Sequence, residues 1–225
     1  MTILNPIYDY AQVKRSENNG SRHYLTESGA KVPSVTTILS ATKDPTHLIA
    51  WRKRIGDAAA NQITKESTSL GTTMHTHLEN YIKGEPRPTG NNVGRVMAQN
   101  MADVIINQGL CHVDEVWGIE CPLMYDNLWA GTTDLVGVFK GVPAIMDFKT
   151  TIRPKTRERV DDYRLQLTAY RLSHDLTFNT QIKKLVVFMC SRNLEYQQFE
   201  FDLENFDADE MDWLNRVEQY YRDHL

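Results

Sequence analysis

The sequence predicts an α/β protein in which helices flank a central mixed sheet, and three observations support this fold class. Hydrophobic residues recur at helical spacing over about 44–65, 69–83, 92–107, 158–176 and 207–221. Alternating or continuous apolar runs indicate strands at about 113–125, 128–139, 142–149, 184–190 and 196–201. The order of helices, three strands, helix, two strands and helix is typical of a mixed sheet covered by helices.

The N-terminal elements are a short hairpin and a helix. Residues 23–25 and 30–32 flank a turn, which predicts two paired strands. Asp44 before Pro45 places a capping carboxylate ahead of a first-turn proline. We therefore expect a helix from this point to about Lys65.

The following elements are bounded by glycine and by turn residues. The second and third helices are expected to end at Gly84 and Gly109, because glycine is common just beyond a helix C-terminus. Turn residues at 126–127 and 140–141 separate the first three long strands. These strands are therefore predicted to form an antiparallel meander.

Length and composition are those of one ordinary folded domain. A chain of 225 residues can bury a core without disulfides. Its 41% hydrophobic and 24% charged residues exclude a disordered protein. We expect one domain over 1–225, with an N-terminal hairpin and helical lobe over 1–68 and a core over 69–225. No segment suggests a coiled coil, which favours a monomer.

The sequence also suggests a compartment. Three scattered cysteines, Cys111, Cys121 and Cys190, form neither a disulfide framework nor a CxxC metal motif, so a reducing compartment is expected. No apolar run approaches the ~20 residues of a membrane span. The first twenty residues have no apolar signal core and contain acidic residues, unlike a transit peptide. We therefore predict a cytoplasmic protein without membrane association.

Charge is unevenly distributed along the chain, although the net charge is only −4. Residues 200–225 contain nine acids and two arginines, whereas 149–171 contain seven cations and three acids. An acidic end beside a basic stretch is compatible with a polyanionic partner such as DNA. Charge runs also form ordinary solvated faces, so this observation alone decides nothing.

Two acids lie on neighbouring predicted strands. Asp134 lies within 128–139, and Asp147 directly follows 142–146, the most apolar run of the chain. Lys149 lies two residues further on and therefore on the same face as Asp147. Two carboxylates and an ammonium suit a hard cation such as Mg²⁺ that shares its shell with a phosphate. A buried Asp–Lys ion pair is the alternative.

Two helices add polar residues to this pattern. Gly71, His75 and Glu79 share one helix face, and the spacing is not the HExxH of zinc peptidases. The glycine lets a backbone or a nucleotide approach closely. Gln166 and Tyr170 share a face of the later basic helix and could orient a phosphate, a water or the lysine. Taken alone, such residues are more often ordinary core or surface residues.

Together these residues form four motifs in a fixed order: Gly71-xxx-His75-xxx-Glu79, Gly131-x-x-Asp134, Asp147-x-Lys149 and Gln166-xxx-Tyr170. The set resembles the RecB-like branch of the PD-(D/E)XK nucleases. With residues 33–39 and Trp51-Arg52, it looks closest to the mitochondrial genome maintenance exonuclease and its phage and bacterial relatives. The resemblance covers about 31–175 and implies a restriction-endonuclease-like αβββαβ core with an N-terminal, arch-like helical lobe.

The resemblance also implies roles for single residues. The implied metal ligands are His75, Asp134, Asp147 and the main-chain carbonyl of Phe148. Lys149 matches the catalytic lysine, and Gln166 and Tyr170 match the accessory motif, with Gly71 and Glu79 as further accessory positions. Lys149 is expected to position a water and to offset developing negative charge. The cofactor is one or two Mg²⁺ or Mn²⁺ ions, and the histidine predicts activity with Mn²⁺ at least equal to that with Mg²⁺.

The function implied is a metal-dependent DNA exonuclease that prefers single-stranded or frayed ends. A structure-specific endonuclease of the same fold and a catalytically inactive DNA-binding module are the alternatives. The cysteine quartet of some relatives is missing, so no iron–sulfur cluster is expected. The start also lacks an organelle presequence, which favours a bacterial or phage setting. The partner proteins that fit this function are a helicase or a single-strand-binding protein.

Candidate DNA contacts lie in three segments. Ser34, Thr36 and Thr37 could donate hydroxyls to a phosphate or belong to a polar loop before a helix. Trp51, followed by Arg52, lies on an apolar stripe and is interpreted as a core residue in preference to a stacking platform. Backbone contacts are expected from the cations that leave the strand of Asp147, namely Arg153, Lys155 and Arg157.

Overall fold

The N-terminal part forms a small antiparallel sheet. The computed structural model describes residues 3–11, 13–18, 21–26, 29–202, 204 and 206–224. The two-residue strand β1 (Ile3–Leu4) pairs in parallel with a later strand. The small sheet consists of β2 (Lys14–Asn18), β3 (Ser21–Leu25) and β4 (Lys31–Pro33). The predicted pairing of β3 with β4 is confirmed, whereas the polar strand β2 was not predicted because its sequence has no apolar alternation.

Three helices follow, and their bounds differ from the prediction. The expected polar loop contains α1 (Val35–Ala41), which Ser34 caps by accepting a hydrogen bond from the Thr37 amide. The expected single helix to Lys65 is wrong. It is divided at Gly56 into α2 (Thr46–Ile55) and α3 (Asp57–Lys83), and α3 continues unbroken past residue 69. Gly56 has a φ of 84°, a conformation that glycine adopts without strain, so the chain turns there.

A six-stranded mixed sheet forms the centre of the molecule. Its strand order is β1-β5-β6-β7-β8-β9, where the last five are β5 (Val113–Tyr125), β6 (Trp129–Phe139), β7 (Val142–Thr151), β8 (Lys184–Ser191) and β9 (Tyr196–Asp202). Strands β5, β6 and β7 form the predicted antiparallel meander. Helix α5 (Asp161–Phe178) then connects β7 to β8, which pair in parallel.

Helices cover both faces of this sheet, as predicted. On one face α3 and α4 (Val93–Gln108) pack over an apolar cluster that includes Met146 and Phe148. On the other face α1, α5 and α6 (Phe206–His224) pack over a cluster that includes Ile145. Because side chains alternate along β7, Asp147 lies on the same face as Ile145 and points toward α5.

The acidic C-terminal helix neutralises much of the basic helix. Arg164 of α5 pairs with Asp209 and Asp212 of α6, and Arg171 pairs with Glu210. Each of these arginines therefore has a carboxylate partner within the fold. Helix packing thus accounts for two of the seven cations of residues 149–171.

Helix α2 does not contribute to the core, so the core interpretation of Trp51 is wrong. None of its residues is buried, and Leu48 and Ile49 are 56% and 60% exposed. Arg52 donates hydrogen bonds to Asp57 and Asn61, which tie α2 to the start of α3. No helix within the described ranges combines the length and the apolar character needed to cross a membrane.

Candidate active site

A cleft of about 720 Å³ opens where the two sheets, α3 and α5 meet. The predicted residues that line it are Ser34, Thr36, Gly71, His75, Glu79, Asp134, Asp147, Lys149, Gln166 and Tyr170. The structure therefore brings together the side chains of all four motifs. These motifs come from α3, β6, β7 and α5, elements that are held by the core on both faces of the sheet.

Three carboxylates form a row across β5, β6 and β7. In the β5–β6 ladder Ile119 pairs with Leu135 and Cys121 with Thr133, which places Glu120 opposite Asp134. The β6–β7 ladder ends one residue short of Asp134 and Asp147, so the strands separate there. The freed Phe148 amide donates a 2.7 Å hydrogen bond to Asp134 Oδ2. The acids thus converge where β6 and β7 separate.

Sequence reasoning missed Glu120. Symmetry about the predicted two-residue turn at 126–127 would pair Glu120 with Thr133. In the structure Tyr125 pairs with Trp129, so the turn has three residues and Glu120 comes to lie opposite Asp134. Glu120 also has a φ of 51°, in the left-handed region that a non-glycine residue adopts at a cost of about 1 kcal/mol or more. The remaining structure holds this residue in its position.

His75 connects α3 to this row of acids. Its Nε2 lies 2.9 Å from the Phe148 carbonyl oxygen. Because a carbonyl oxygen only accepts, this nitrogen carries a hydrogen and donates the hydrogen bond. Its Nδ1 faces the acids, 3.5 Å from Asp134 Oδ1 and 4.0 Å from Glu120 Oε1. Burial opposes a charge on His75, but Asp134 and Glu120 outweigh burial and hold the histidine pKa well above its usual value.

These residues fit a divalent cation. One ligand atom each from His75, Glu120 and Asp134 lies within 4.8 Å of the others. Acids directly opposite each other destabilise a sheet unless positive charge lies between them. A metal-binding histidine commonly donates a hydrogen bond from its second ring N–H to a backbone carbonyl, as His75 does to Phe148. One nitrogen and two carboxylates suit Mn²⁺ or Mg²⁺.

The Phe148 carbonyl and Asp147, the other two predicted metal ligands, each have a partner within the protein, and their ligand role stays a prediction. The carbonyl accepts the hydrogen bond from His75. Asp147 forms an ion pair with Lys149, and its Oδ1 accepts a 3.3 Å hydrogen bond from Gln166. Gln166 also donates to the Tyr170 hydroxyl at 3.2 Å. The buried Asp–Lys pair of the alternative interpretation is therefore present, and it lies inside the cleft.

Burial and charge set the protonation of this pair. Burial raises the pKa of Asp147 to about 6, with Asp134 adding to the effect and Lys149 opposing it. Burial opposes the charge of Lys149, but Asp147 and Asp134 outweigh it and raise the lysine pKa. Lys149 therefore keeps its positive charge near neutral pH.

Tyr163 on α5 is a second cleft residue that sequence reasoning missed. The Lys149 ammonium lies 5.1 Å from the centre of its ring. Lys155 lies 4.6 Å from the same centre and donates a 2.8 Å hydrogen bond to the Tyr163 hydroxyl. Lys155, predicted as a DNA contact, is thus bound to a residue of the cleft wall.

The remaining predicted DNA contacts lie outside the cleft lining. Thr37 exchanges hydrogen bonds with the backbone of Arg22 and joins α1 to β3. Trp51 and Arg52 are on α2, where Arg52 is engaged by α3. Arg157 donates to the Glu200 carbonyl at 3.0 Å, and Arg153 is exposed.

Two glycines of the motifs have different environments. A Cβ at Gly131 would lie 2.5 Å from Tyr170 Cε1, so this glycine is required for the tyrosine ring to pack against β6. A Cβ at Gly71 would meet only Thr150 Oγ1, at 3.7 Å, an ordinary contact. The fold itself therefore does not require glycine at position 71.

Comparison with known proteins gives two consistent results. The chain is 26% identical over 201 residues to mitochondrial genome maintenance exonuclease 1 of Mus musculus, a match that covers 84% of this chain and 59% of that protein. The human protein of the same name is 24% identical over 201 residues, covering 84% of this chain and 58% of that protein. The chain thus spans about three fifths of the length of these curated relatives. No protein-family model matches it.

A solved structure gives the second result. A candidate exonuclease from Eubacterium rectale superposes with a TM-score of 0.51 at 12% identity, over 70% of this chain and 65% of that one. This likeness supports the mixed α/β fold. The two results together support a relationship to the PD-(D/E)XK-like nucleases.

Proposed function

We propose that the chain is a divalent-metal-dependent DNA exonuclease that prefers single-stranded or frayed ends, a proposal supported by its similarity to the two exonucleases above. One observation carries the proposal. The cluster of His75, Glu120 and Asp134 lies beside the ion pair of Asp147 and Lys149 in one open cleft. Phosphodiester hydrolysis needs positive charge beside the phosphate and a water that has lost a proton. This cleft contains groups suited to each requirement.

His75, Glu120 and Asp134 would hold the cation. When bound, a divalent ion withdraws charge from a phosphate oxygen and acidifies a water. The chain fixes the ligands before binding. The Phe148 amide orients Asp134, and the Phe148 carbonyl orients His75. Asp147 would lie at the edge of this cluster, where its pKa of about 6 suits it to accept a proton from a water near neutral pH.

Lys149 supplies the second positive charge. Its ammonium is held on one side by Asp147 and on the other by the ring of Tyr163. Asp147 and Asp134 keep this ammonium protonated by raising its pKa, so it can donate hydrogen bonds to a phosphate oxygen or a water without losing charge. Gln166 orients Asp147 and is in turn linked to Tyr170. Ser34 and Thr36, which line the cleft, would contact the substrate backbone.

The test is a digest of end-labelled single-stranded DNA, run beside a circular strand of the same sequence. Each substrate is incubated with Mn²⁺, Mg²⁺ or EDTA, using the wild type, Asp134→Asn and Lys149→Ala. We expect metal-dependent shortening of the linear strand only, with a loss of at least about 100-fold in rate for either variant. The matched control is Asp103→Asn, because Asp103 pairs with Arg87 away from the cleft.

Two results would overturn the proposal, and a third would change the role of Lys149. Cleavage of the circular strand would indicate an endonuclease. Binding of DNA without cleavage at any metal concentration would indicate an inactive binding module. Equal activity of the wild type and Lys149→Ala would remove the role given to this lysine.

A further inference from the structure

A second cavity, of about 760 Å³, lies beside the cleft on an adjoining face of α3. We propose that it binds the phosphate backbone of the same nucleic-acid strand whose end enters the cleft. The inference rests on the proposed function, since it extends the path of that substrate. The cavity lies between α3, the start of α4 and the turn that follows β8, and is called the basic groove below.

The basic groove contains more positive than negative charge. Lys65, Arg95 and Arg192 line it, and Glu66 is the acid among its lining residues. The partners of the two arginines are neutral: Arg95 donates to the Thr89 carbonyl and Arg192 to the Ser67 hydroxyl, each at 3.1 Å. Both guanidinium groups therefore keep their full charge toward the groove.

Other cations of the chain are engaged differently. Arg164 and Arg171 of α5 pair with carboxylates of α6, and Lys184 pairs with Glu200 and Asp202 of β9. In a protein with a net charge of −4, neutralisation of this kind is expected. Three cations beside an open cavity are complementary to a polyanion, and a phosphate backbone is the polyanion that the neighbouring cleft would recruit.

A ridge of small, uncharged residues joins the two cavities. Ser69 and Thr73 line the basic groove, whereas Thr72 and Thr76 line the cleft. Residues three or four positions apart are neighbours on a helix surface, so these four hydroxyl residues form a continuous edge. None of them carries a charge that would repel phosphates. A strand can therefore cross α3 here.

The geometry predicts that the affinity for a single strand of DNA depends on the length of the strand. A helix with its side chains is about 10–12 Å wide, so a strand must extend beyond the cleft before it reaches Lys65, Arg95 and Arg192. Short strands should bind through the cleft alone. Longer strands should gain contacts with the three cations, each of which releases counterions from the strand.

The experiment measures the affinity for labelled single-stranded DNA by fluorescence anisotropy, in EDTA so that no cleavage occurs. Strands of about 4 to about 16 nucleotides span the usual range of single-strand sites. The test variant replaces Lys65, Arg95 and Arg192 by Gln. The control variant replaces Lys140, Lys183 and Arg222 by Gln, which removes the same charge at positions that line neither cavity.

We expect the affinity of the wild type to rise with length and then to level off, and this rise to be lost in the test variant. Three contacts at a slope of about 0.7 each predict that raising salt from 50 to 200 mM weakens long-strand binding about 20-fold more in the wild type than in the test variant. Affinity for the shortest strands and the rate of their metal-dependent digestion should not change. The control variant should behave as the wild type.

Equal length dependence in the wild type and the test variant would overturn the inference, as would an equal loss in the control variant. In both cases digestion of short strands would leave the proposed function standing. A wild type that neither binds nor cuts strands of any length would refute the proposed function, and the basic groove with it.

Discussion

Acid should destabilise the protein through His174 on α5. This histidine is fully buried. The Thr180 hydroxyl donates a hydrogen bond to Asp175. The same hydroxyl can therefore only accept a hydrogen bond from His174 Nδ1, at 2.8 Å. The other ring nitrogen then accepts from the Tyr10 hydroxyl, at 3.1 Å. The neutral imidazole is satisfied at both nitrogens, and a second proton would have to displace the Tyr10 hydrogen bond.

The size of the effect follows from the pKa. Burial lowers the pKa of His174 from 6.5 to about 4. Between pH 6.5 and about 4 the unfolded chain binds a proton at this residue that the folded chain does not. The contribution of neutral His174 to the free energy of unfolding is therefore fully present above pH 6.5 and is lost as the pH decreases to about 4. At about 1.4 kcal/mol for each pH unit, the loss is about 3 kcal/mol.

Urea unfolding from pH 4 to pH 8 measures this contribution. His174→Gln removes the titrating group, so its free energy of unfolding should depend less steeply on pH, by up to about 1.4 kcal/mol per pH unit between 4 and 6.5. His47→Gln, at an exposed position on α2, is the matched control and should retain the wild-type slope. Parallel curves for the wild type and His174→Gln would refute this reasoning.

Three further substitutions have defined outcomes. Gly131→Ala should lower the free energy of unfolding by about 1–3 kcal/mol, because its Cβ would lie 2.5 Å from the Tyr170 ring, and a variant of wild-type stability in urea would contradict this. Glu120→Gln should weaken Mn²⁺ binding by at least about tenfold in calorimetry, whereas an unchanged affinity would remove Glu120 from the ligand set. Tyr163→Leu should lower kcat about 2- to 30-fold and shift the alkaline limb of the pH profile, because the Lys149 ammonium loses its contact with the ring. Tyr163→Phe keeps the ring and should restore both kcat and the profile. A Leu variant with the wild-type profile would argue against this positioning role.

Local patterns in the sequence were enough to predict the sheet and its principal acids. The alternation of side chains placed Asp147 and Lys149 on one face, and the structure pairs them there. The order of helices and strands predicted the mixed sheet, because each element has its own periodicity. His75 could be placed on a helix face, but its distance from Asp134 depends on how α3 crosses the sheet.

The errors concern features that depend on tertiary structure. Glu120 became visible only through the register of β5 against β6. Tyr163 reaches Lys149 because α5 crosses back over the sheet, which no local pattern specifies. The break at Gly56 and the incomplete burial of Trp51 have a common cause, since α2 packs against α3 at its edge and not against the sheet.

The last helix also has a consequence for the order of assembly. Arg216 of α6 donates hydrogen bonds to the Leu39 carbonyl and to the Thr42 hydroxyl, at the end of α1. Helix α1 begins immediately after Ser34, which lines the cleft. During synthesis this wall of the cleft therefore lacks its clamp until residue 216 has left the ribosome. The cleft of a nascent chain would therefore stay incomplete until nearly all of these residues have been made.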